Sequence, residues 1–180
     1  GGGAAALTAA SSVGEHTGSG DIMFAIGADG LNEPRVQGAG ELWISLEFDG
    51  DVDAGGLTAA FSPVLSVGAT VSAGAAANMA EIRFDGAVNT DRYTVTLGGT
   101  GTGEFDICYT RGDVNCSGDA TGLDLAAIQS PGNWNKSLAE GADARADVNR
   151  DGQATGLDLA AVQNPASWNQ PVPALTCTCP

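Results

Sequence analysis

The C-terminal third of the chain contains a tandem repeat, which constrains the fold more than any other feature of the sequence. Residues 113–135 read DVNCSGDATGLDLAAIQSPGNWN, and residues 147–169 read DVNRDGQATGLDLAAVQNPASWN. The two segments are identical at 16 of 23 positions, at a constant offset of 34 residues. Agreement at this level without a gap indicates a duplicated structural unit, which we place at residues 111–170.

Each repeat begins with the oxygen-rich pattern of a calcium loop. In loops of the EF-hand type, positions 1, 3, 5, 7, 9 and 12 supply ligands, and a glycine at position 6 allows a sharp turn. The predicted ligands are Asp113, Asn115, Ser117, Asp119, Thr121 and Asp124 in the first loop, and Asp147, Asn149, Asp151, Gln153, Thr155 and Asp158 in the second. Gly118 and Gly152 occupy the turn positions. Because all these ligands are hard oxygens, calcium is favoured over zinc or copper, and we predict two Ca²⁺ ions per chain.

The two loops differ at position 5, where the first has Ser117 and the second has the carboxylate of Asp151. Position 7 normally binds through its backbone carbonyl, and position 9 often acts through water, so those side chains need not coordinate the ion. We therefore expect the 147–158 loop to bind calcium more tightly than the 113–124 loop. The alternative is a pair of turns rich in Asp, Asn and Gly that bind no metal.

A short helical pattern follows each loop. Leu125 and Ile128 lie three residues apart on one helix face, and the second repeat has the same spacing. Pro131 and Pro165 are predicted to end the helices after about two turns. Since helices of this length are unstable alone, we expect calcium and the packing of one repeat against the other to stabilise them.

The tandem DVNxxGxxxxLDL pattern resembles the type I dockerin domain over about 60 residues. The resemblance implies two calcium loop–helix units packed with near two-fold symmetry, and docking onto a cohesin partner. Cellulosomal dockerins carry a Lys-Arg pair on a long helix after the loop, whereas this chain has Gln129-Ser130-Pro131 and Gln163-Asn164-Pro165. Calcium binding therefore carries over from the family, but binding to a cellulosomal cohesin does not.

Two tryptophans, Trp134 and Trp168, occupy equivalent positions in the repeats. We expect them to fill the small core between the two helices. The alternative is a pair of exposed aromatic anchors for a partner protein.

The region assigned to residues 14–110 alternates between apolar and polar side chains in short runs separated by turn signals. The seven runs are Asp21–Ile26, Glu41–Phe48, Leu57–Phe61, Val64–Val71, Ala80–Phe84, Tyr93–Leu97 and Glu104–Tyr109. This pattern predicts an antiparallel β-sandwich, and the stretch resembles the Ig-like modules that precede dockerin-like repeats in secreted bacterial proteins. The predicted fold class is mainly β, with an Ig-like β-sandwich followed by a small α dockerin-like domain.

The two ends of the chain receive their own predictions. Residues 1–13, rich in Gly and Ala, are predicted to be a tail that can add a strand to the sheet of a neighbouring molecule. In the C-terminal tail, residues 171–180, Cys177 and Cys179 are expected to bridge to Cys108 and Cys116, because a near two-fold repeat brings its ends together. Four cysteines allow three pairings, which remain open. A zinc site is the poorer alternative, since the Cys-x-Cys pair has no second close pair beside it.

Charge and composition exclude several classes of function. The net charge of −15 argues against binding to nucleic acid or to an anionic membrane surface, and no apolar run approaches the roughly 18 residues of a spanning helix. His16 is the only histidine, has no nucleophile motif around it, and is predicted to lie at the surface. We therefore expect no enzyme activity, and the disulfides and calcium sites indicate a secreted protein, extracellular or at the cell surface.

Two functions fit this description. The first is a structural subunit of an extracellular filament or cell-surface assembly, which self-associates head to tail through contacts between the sandwich and the dockerin-like domain of neighbouring copies. The alternative is an accessory binding module that its dockerin-like domain tethers to a cohesin-type scaffold.

Overall fold

A computed structural model of the chain describes residues 3–35, 42–166, 168–169 and 177–179. The fold is mainly β, with 43% of residues in strands and 10% in helices. The strands of the large N-terminal sheet are β1 (Ala5–His16), β2 (Gly20–Ala25), β3 (Leu31–Glu33), β4 (Leu42–Phe48), β5 (Leu57–Ser62), β6 (Ala69–Ala73), β7 (Met79–Phe84), β8 (Asp91–Gly99) and β9 (Gly101–Tyr109). We call the region that they form the β domain.

The strands of the β domain follow one another in the order β5-β8-β9-β1-β4-β7-β6, with β2 paired to β1 and β3 paired to β9. The outer strands β5 and β6 contact each other, so the sheet is a nearly closed, barrel-like arrangement. The predicted antiparallel sandwich is not confirmed, since β9 pairs in parallel with both β1 and β3. Period-two alternation reports which side chains are buried, but it does not report which strands are neighbours.

The N-terminal residues that were predicted to be a tail form the central strand of this sheet. β1 pairs antiparallel with β2 and β4, and its first residues pair in parallel with β9. Ala5, Ala10 and Val13 are buried in the resulting core. In the single chain the segment is therefore a strand of its own sheet rather than a free tail, and exchange with a neighbouring molecule stays a prediction. Residues 1–2 lie outside the described residues. The small residues of β1 carry little strand propensity, and their pairing depends in large part on β4 and β9, which are distant in sequence.

The core of the β domain agrees with the alternation predicted along β4. Leu42, Ile44, Leu46 and Phe48 point inward and are at most 2% exposed. One predicted strand is misplaced: the run Val64–Val71 contains strand only from residue 69, and β6 then extends to Ala73. Residues 64–68 form an irregular, bent segment before the strand, which a count of apolar residues alone does not reveal.

The C-terminal unit contains the two predicted helices, α1 (Gly122–Ile128) and α2 (Gly156–Val162). A two-residue ladder joins β10 (Lys136–Ser137) to β11 (Gln153–Ala154), and a 3₁₀ turn covers Leu138–Glu140. The core of the C-terminal unit consists of the buried residues Val114, Ala120, Ile128, Ala146, Val148, Ala154 and Val162. Trp134 and Trp168 are partly buried and pack against this core, so they lie at its edge rather than filling it as expected.

Two disulfides connect the C-terminal segment to residues 108–116, as predicted. Cys108 bonds to Cys177, and Cys116 bonds to Cys179. Between them, the backbone carbonyl of Thr178 accepts a hydrogen bond of 2.9 Å from Asn32 N in β3. The predicted tail is otherwise outside the described residues, at 171–176 and 180. Over the described ranges, no helix is long and apolar enough to cross a membrane.

Candidate metal centre

The second loop brings three carboxylates together. Asp147, Asp151 and Asp158 each offer an oxygen, and these three oxygens lie within 4.8 Å of one another. Asp147 and Asp158 are fully buried, and Asp151 is half-buried. The turn that folds the chain around this cluster passes through Gly152, whose positive φ of 92° suits glycine. The spacing of the motif thus brings the three carboxylates together at one small site.

One oxygen of this cluster has no hydrogen-bond donor among the residues that the structure describes. Asp147 Oδ2 accepts hydrogen bonds from Gly152 N at 2.9 Å and from His16 Nδ1 at 2.7 Å. Its Oδ1 is buried and has no hydrogen-bond partner among the described residues. Leaving a buried polar atom unsatisfied costs about 1–3 kcal/mol, and more for a charged group. A hard divalent cation bound by this oxygen removes that cost, so the donor set fits calcium.

The electrostatics of Asp158 lead to the same conclusion. Burial raises the pKa of Asp158 to about 6, against the opposing effect of hydrogen bonds from the N–H groups of Thr155 and Asn149. The negative charges of Asp147 and Asp151 make a smaller contribution to this rise in pKa. Clustered, buried carboxylates disfavour ionisation in the absence of a cation, and a bound Ca²⁺ reverses this preference.

The first loop repeats the same backbone framework. Asp124 accepts hydrogen bonds from Asn115 N at 3.0 Å and Thr121 N at 2.7 Å; Asp158 accepts from the equivalent residues of its own loop at 3.1 and 2.7 Å. Asp113 is fully buried and accepts from Gly118 N at 2.8 Å, and its burial raises its pKa. These parallels extend the candidate calcium site to both repeats.

The remaining predicted ligands of the first loop face solvent. Asn115, Ser117 and Asp119 are exposed, and Ser117 Oγ donates to the carbonyl of Asp119 at 3.2 Å. Ser117 brings no charge to the ion, unlike Asp151 at the same position of the second loop. In the second loop Gln153 is exposed, and Asn149 Nδ2 donates to Asp151 Oδ2 at 3.0 Å. The order of affinities predicted from the sequence therefore remains our expectation.

The threonines at position 9 cap the helices. The side-chain oxygens of Thr121 and Thr155 accept hydrogen bonds from Leu123 N and Leu157 N, and each threonine forms a capping box with the aspartate at position 12. This arrangement satisfies orphan N–H groups at the start of each seven-residue helix. The loop and helix of each repeat are thus locked together by the same carboxylates that we assign to calcium.

Sequence reasoning missed two residues of this site, and both belong to the β domain. His16, predicted to lie at the surface, is 1% exposed and contacts Asp147. Asn32 is 2% exposed, and its Nδ2 donates to Asp113 Oδ2 at 2.7 Å. The prediction for His16 is wrong because its partner lies 131 residues away in sequence, and β1 itself was not recognised as a strand.

Comparison with known families identifies the C-terminal unit. The family model of the dockerin type I domain matches residues 111–165. No curated protein matches the chain. Type I dockerin domains are non-catalytic modules that bind Ca²⁺ and cohesin partners, and they are typical of extracellular or cell-surface proteins.

Proposed function

We propose that the chain is a secreted, non-catalytic protein that uses its dockerin unit for calcium-dependent docking onto another protein. The observation that carries this proposal is the dockerin match at residues 111–165, together with the carboxylate cluster in the loop of the second repeat. In this proposal each chain holds two Ca²⁺ ions, one in each loop. The ions hold the short helices in place, and the helices present the surface that a partner binds.

The two helices display equivalent exposed faces that support docking. Leu123 in α1 is 68% exposed, and Leu157 in α2 is 64% exposed. Ala126 and Ala160 lie one turn further along and are also exposed. Two large apolar side chains in equivalent positions, each beside a small residue, suit a protein surface better than they suit solvent. We call Leu123, Ala126, Leu157 and Ala160 the docking face.

Two kinds of partner fit this face. The first is the β domain of a second copy, which would build a head-to-tail filament or cell-surface assembly from identical subunits. The second is a cohesin-type scaffold, for which the β domain would be the tethered cargo. β1 is paired within its own sheet in the single chain, so self-association in this proposal rests on the docking face.

Light scattering after size exclusion, with electron microscopy of the same fractions, tests self-association of the full chain. In millimolar calcium we expect oligomers, which dissociate when calcium is chelated. The double variant Leu123→Asp/Leu157→Asp is expected to be monomeric in calcium. Val64→Asp is the matched control, because Val64 is an apolar residue of the β domain with 87% exposure.

A monodisperse monomer in calcium would reject self-association and leave the tethering role. That role is then tested by calcium-dependent binding to a panel of cohesin modules, again with the docking-face variant and the Val64→Asp control. Failure to bind any cohesin, combined with a monomeric chain, would contradict docking through this face.

A further inference from the structure

The first ligand of each calcium loop is held by a donor from the β domain. Asp113 Oδ2 accepts from Gly118 N of its own loop and from Asn32 Nδ2, at 2.8 and 2.7 Å. Asp147 Oδ2 accepts from Gly152 N of its own loop and from His16 Nδ1, at 2.9 and 2.7 Å. The two repeats therefore share this pair of donors on Oδ2, although the outside donors come from different strands. They differ at Oδ1, which in Asp113 accepts a hydrogen bond from Ser117 N at 2.9 Å.

The donors themselves are held firmly in the β domain. His16 Nε2 lies 3.3 Å from Arg35 Nη1. Because a guanidinium can only donate, Nε2 accepts this hydrogen bond, and Nδ1 carries the hydrogen that it donates to Asp147. Arg35 is fixed by two hydrogen bonds to Glu33, at 2.7 and 2.6 Å, and by the ring of Phe24 at 4.1 Å. The orientation of the imidazole is therefore set by a buried network that precedes the calcium loops in sequence.

Asn32 has an equivalent support. Its Oδ1 accepts a hydrogen bond from the hydroxyl of Thr110, which leaves the amide nitrogen directed at Asp113. The neighbouring backbone is also joined to the dockerin unit, because Gly112 N donates to Pro34 O at 2.8 Å. Both the oxygen and the nitrogen of the Asn32 side-chain amide are thus hydrogen-bonded.

The second loop is also fitted closely to the backbone of the β domain. Thr17 N donates to Arg150 O at 3.1 Å, and Arg150 Nη1 donates to Glu15 O at 3.2 Å. A Cβ at Gly152 would collide with the carbonyl oxygen of Thr17. The loop turn therefore lies directly against the turn that joins β1 to β2.

We propose that Asn32 and His16 are positioning residues for calcium, Asn32 for the 113–124 loop and His16 for the 147–158 loop. Each donor occupies Oδ2 of the first ligand, which leaves Oδ1 as the oxygen for the ion; in the first loop Oδ1 also accepts from Ser117 N. In the second loop this oxygen is the buried Asp147 Oδ1 without a protein partner among the described residues. Partners of this kind that orient a ligand contribute about 10- to 100-fold to metal affinity.

This assignment makes the β domain a part of both calcium sites. Calcium binding is then coupled to the contact between the two units. Because the ion binds best when Asp147 is correctly oriented, calcium favours the arrangement in which His16 contacts Asp147. The β domain is accordingly more than cargo attached to the dockerin unit. The inference rests on the proposed calcium binding, and its test separates the two.

The test uses full-length chains in which only one loop binds calcium, and it measures affinity by competition with a chromophoric chelator. Asp124→Ala leaves the second loop, and Asp158→Ala leaves the first. In the Asp124→Ala chain, His16→Gln moves the donor away from Asp147 and is expected to weaken calcium binding at least tenfold. His16→Asn keeps an amide donor near the Nδ1 position and should remain within about threefold of the parent.

The cross-comparison distinguishes positioning from general stability. Asn32→Leu should weaken the first loop by a similar factor in the Asp158→Ala chain and leave the second loop unchanged in the Asp124→Ala chain. His16→Gln should show the opposite selectivity. Equal weakening of both loops by either variant, or unchanged affinity at its own loop, would overturn the proposal. If Asn32→Leu fails to fold, the His16→Gln and His16→Asn pair decides. Parent chains that bind no calcium would instead overturn the proposed function.

Discussion

Deletion of residues 1–13 should leave the β domain unable to fold. The deletion removes nine of the twelve residues of β1, which is hydrogen-bonded to β2, β4 and β9 at the centre of the sheet. Without it, the strands on either side lose their common neighbour and the apolar core opens to water. We expect loss of the cooperative thermal transition and of the near-ultraviolet circular dichroism of the aromatic core.

Deletion of residues 1–4 is the matched control, because these residues precede β1. This shorter deletion should retain a cooperative transition close to that of the full chain. A chain lacking residues 1–13 that unfolds cooperatively at the original temperature would show that the segment is a dispensable tail. It would also restore strand exchange as a basis for assembly.

Calcium removal should produce the second large effect, a loss of stability concentrated in the dockerin unit. A ligand present at a hundredfold excess over its dissociation constant stabilises the folded state by about 2.7 kcal/mol per site, so two sites contribute about 5 kcal/mol. Each helix has only seven residues, and its first turn is built on a loop carboxylate. Without the ion, the buried carboxylates repel one another and the helices lack a sufficient core.

Urea denaturation with and without a chelator measures this loss. Fluorescence of Trp134 and Trp168 reports on the dockerin unit, and replacement of Trp43 by phenylalanine removes the signal of the β domain. Because the β domain has a hydrophobic core of its own, we expect the dockerin unit to unfold locally while the β domain stays folded. Both disulfides remain intact under these conditions. Asp124→Ala/Asp158→Ala is the control, and its denaturation curve should no longer respond to calcium. Identical curves for the parent chain in both conditions would contradict calcium binding in the loops.

The parts of the fold that sequence predicts well are those with local causes. The alternation of Leu42, Ile44, Leu46 and Phe48 marks a half-buried strand, and the structure confirms it. The helices after the loops follow from three-residue spacing and a following proline, and both are present. The repeat also placed the carboxylates of the second loop close together, since a twelve-residue loop around a glycine brings its ends into contact.

The parts that sequence failed to predict depend on distant partners. β1 is built largely from small residues, whose strand state is set by pairing with β4 and β9 rather than by propensity. The barrel-like closure depends on which strands are neighbours, and the alternation of apolar and polar residues does not predict strand neighbours. The role of His16 follows from both, because only the end of a central strand brings its imidazole to Asp147.

Titration calorimetry of the full chain with calcium measures the number of bound ions and their affinities. We expect two bound ions, with tighter binding at the 147–158 loop, where one oxygen from each of three carboxylates lies within 4.8 Å of the others. Asp158→Ala should remove the tighter site and Asp124→Ala the weaker one, each leaving one ion per chain. An unsubstituted chain that binds no calcium, or an Asp158→Ala chain that still binds two ions, would contradict calcium binding by the two loops.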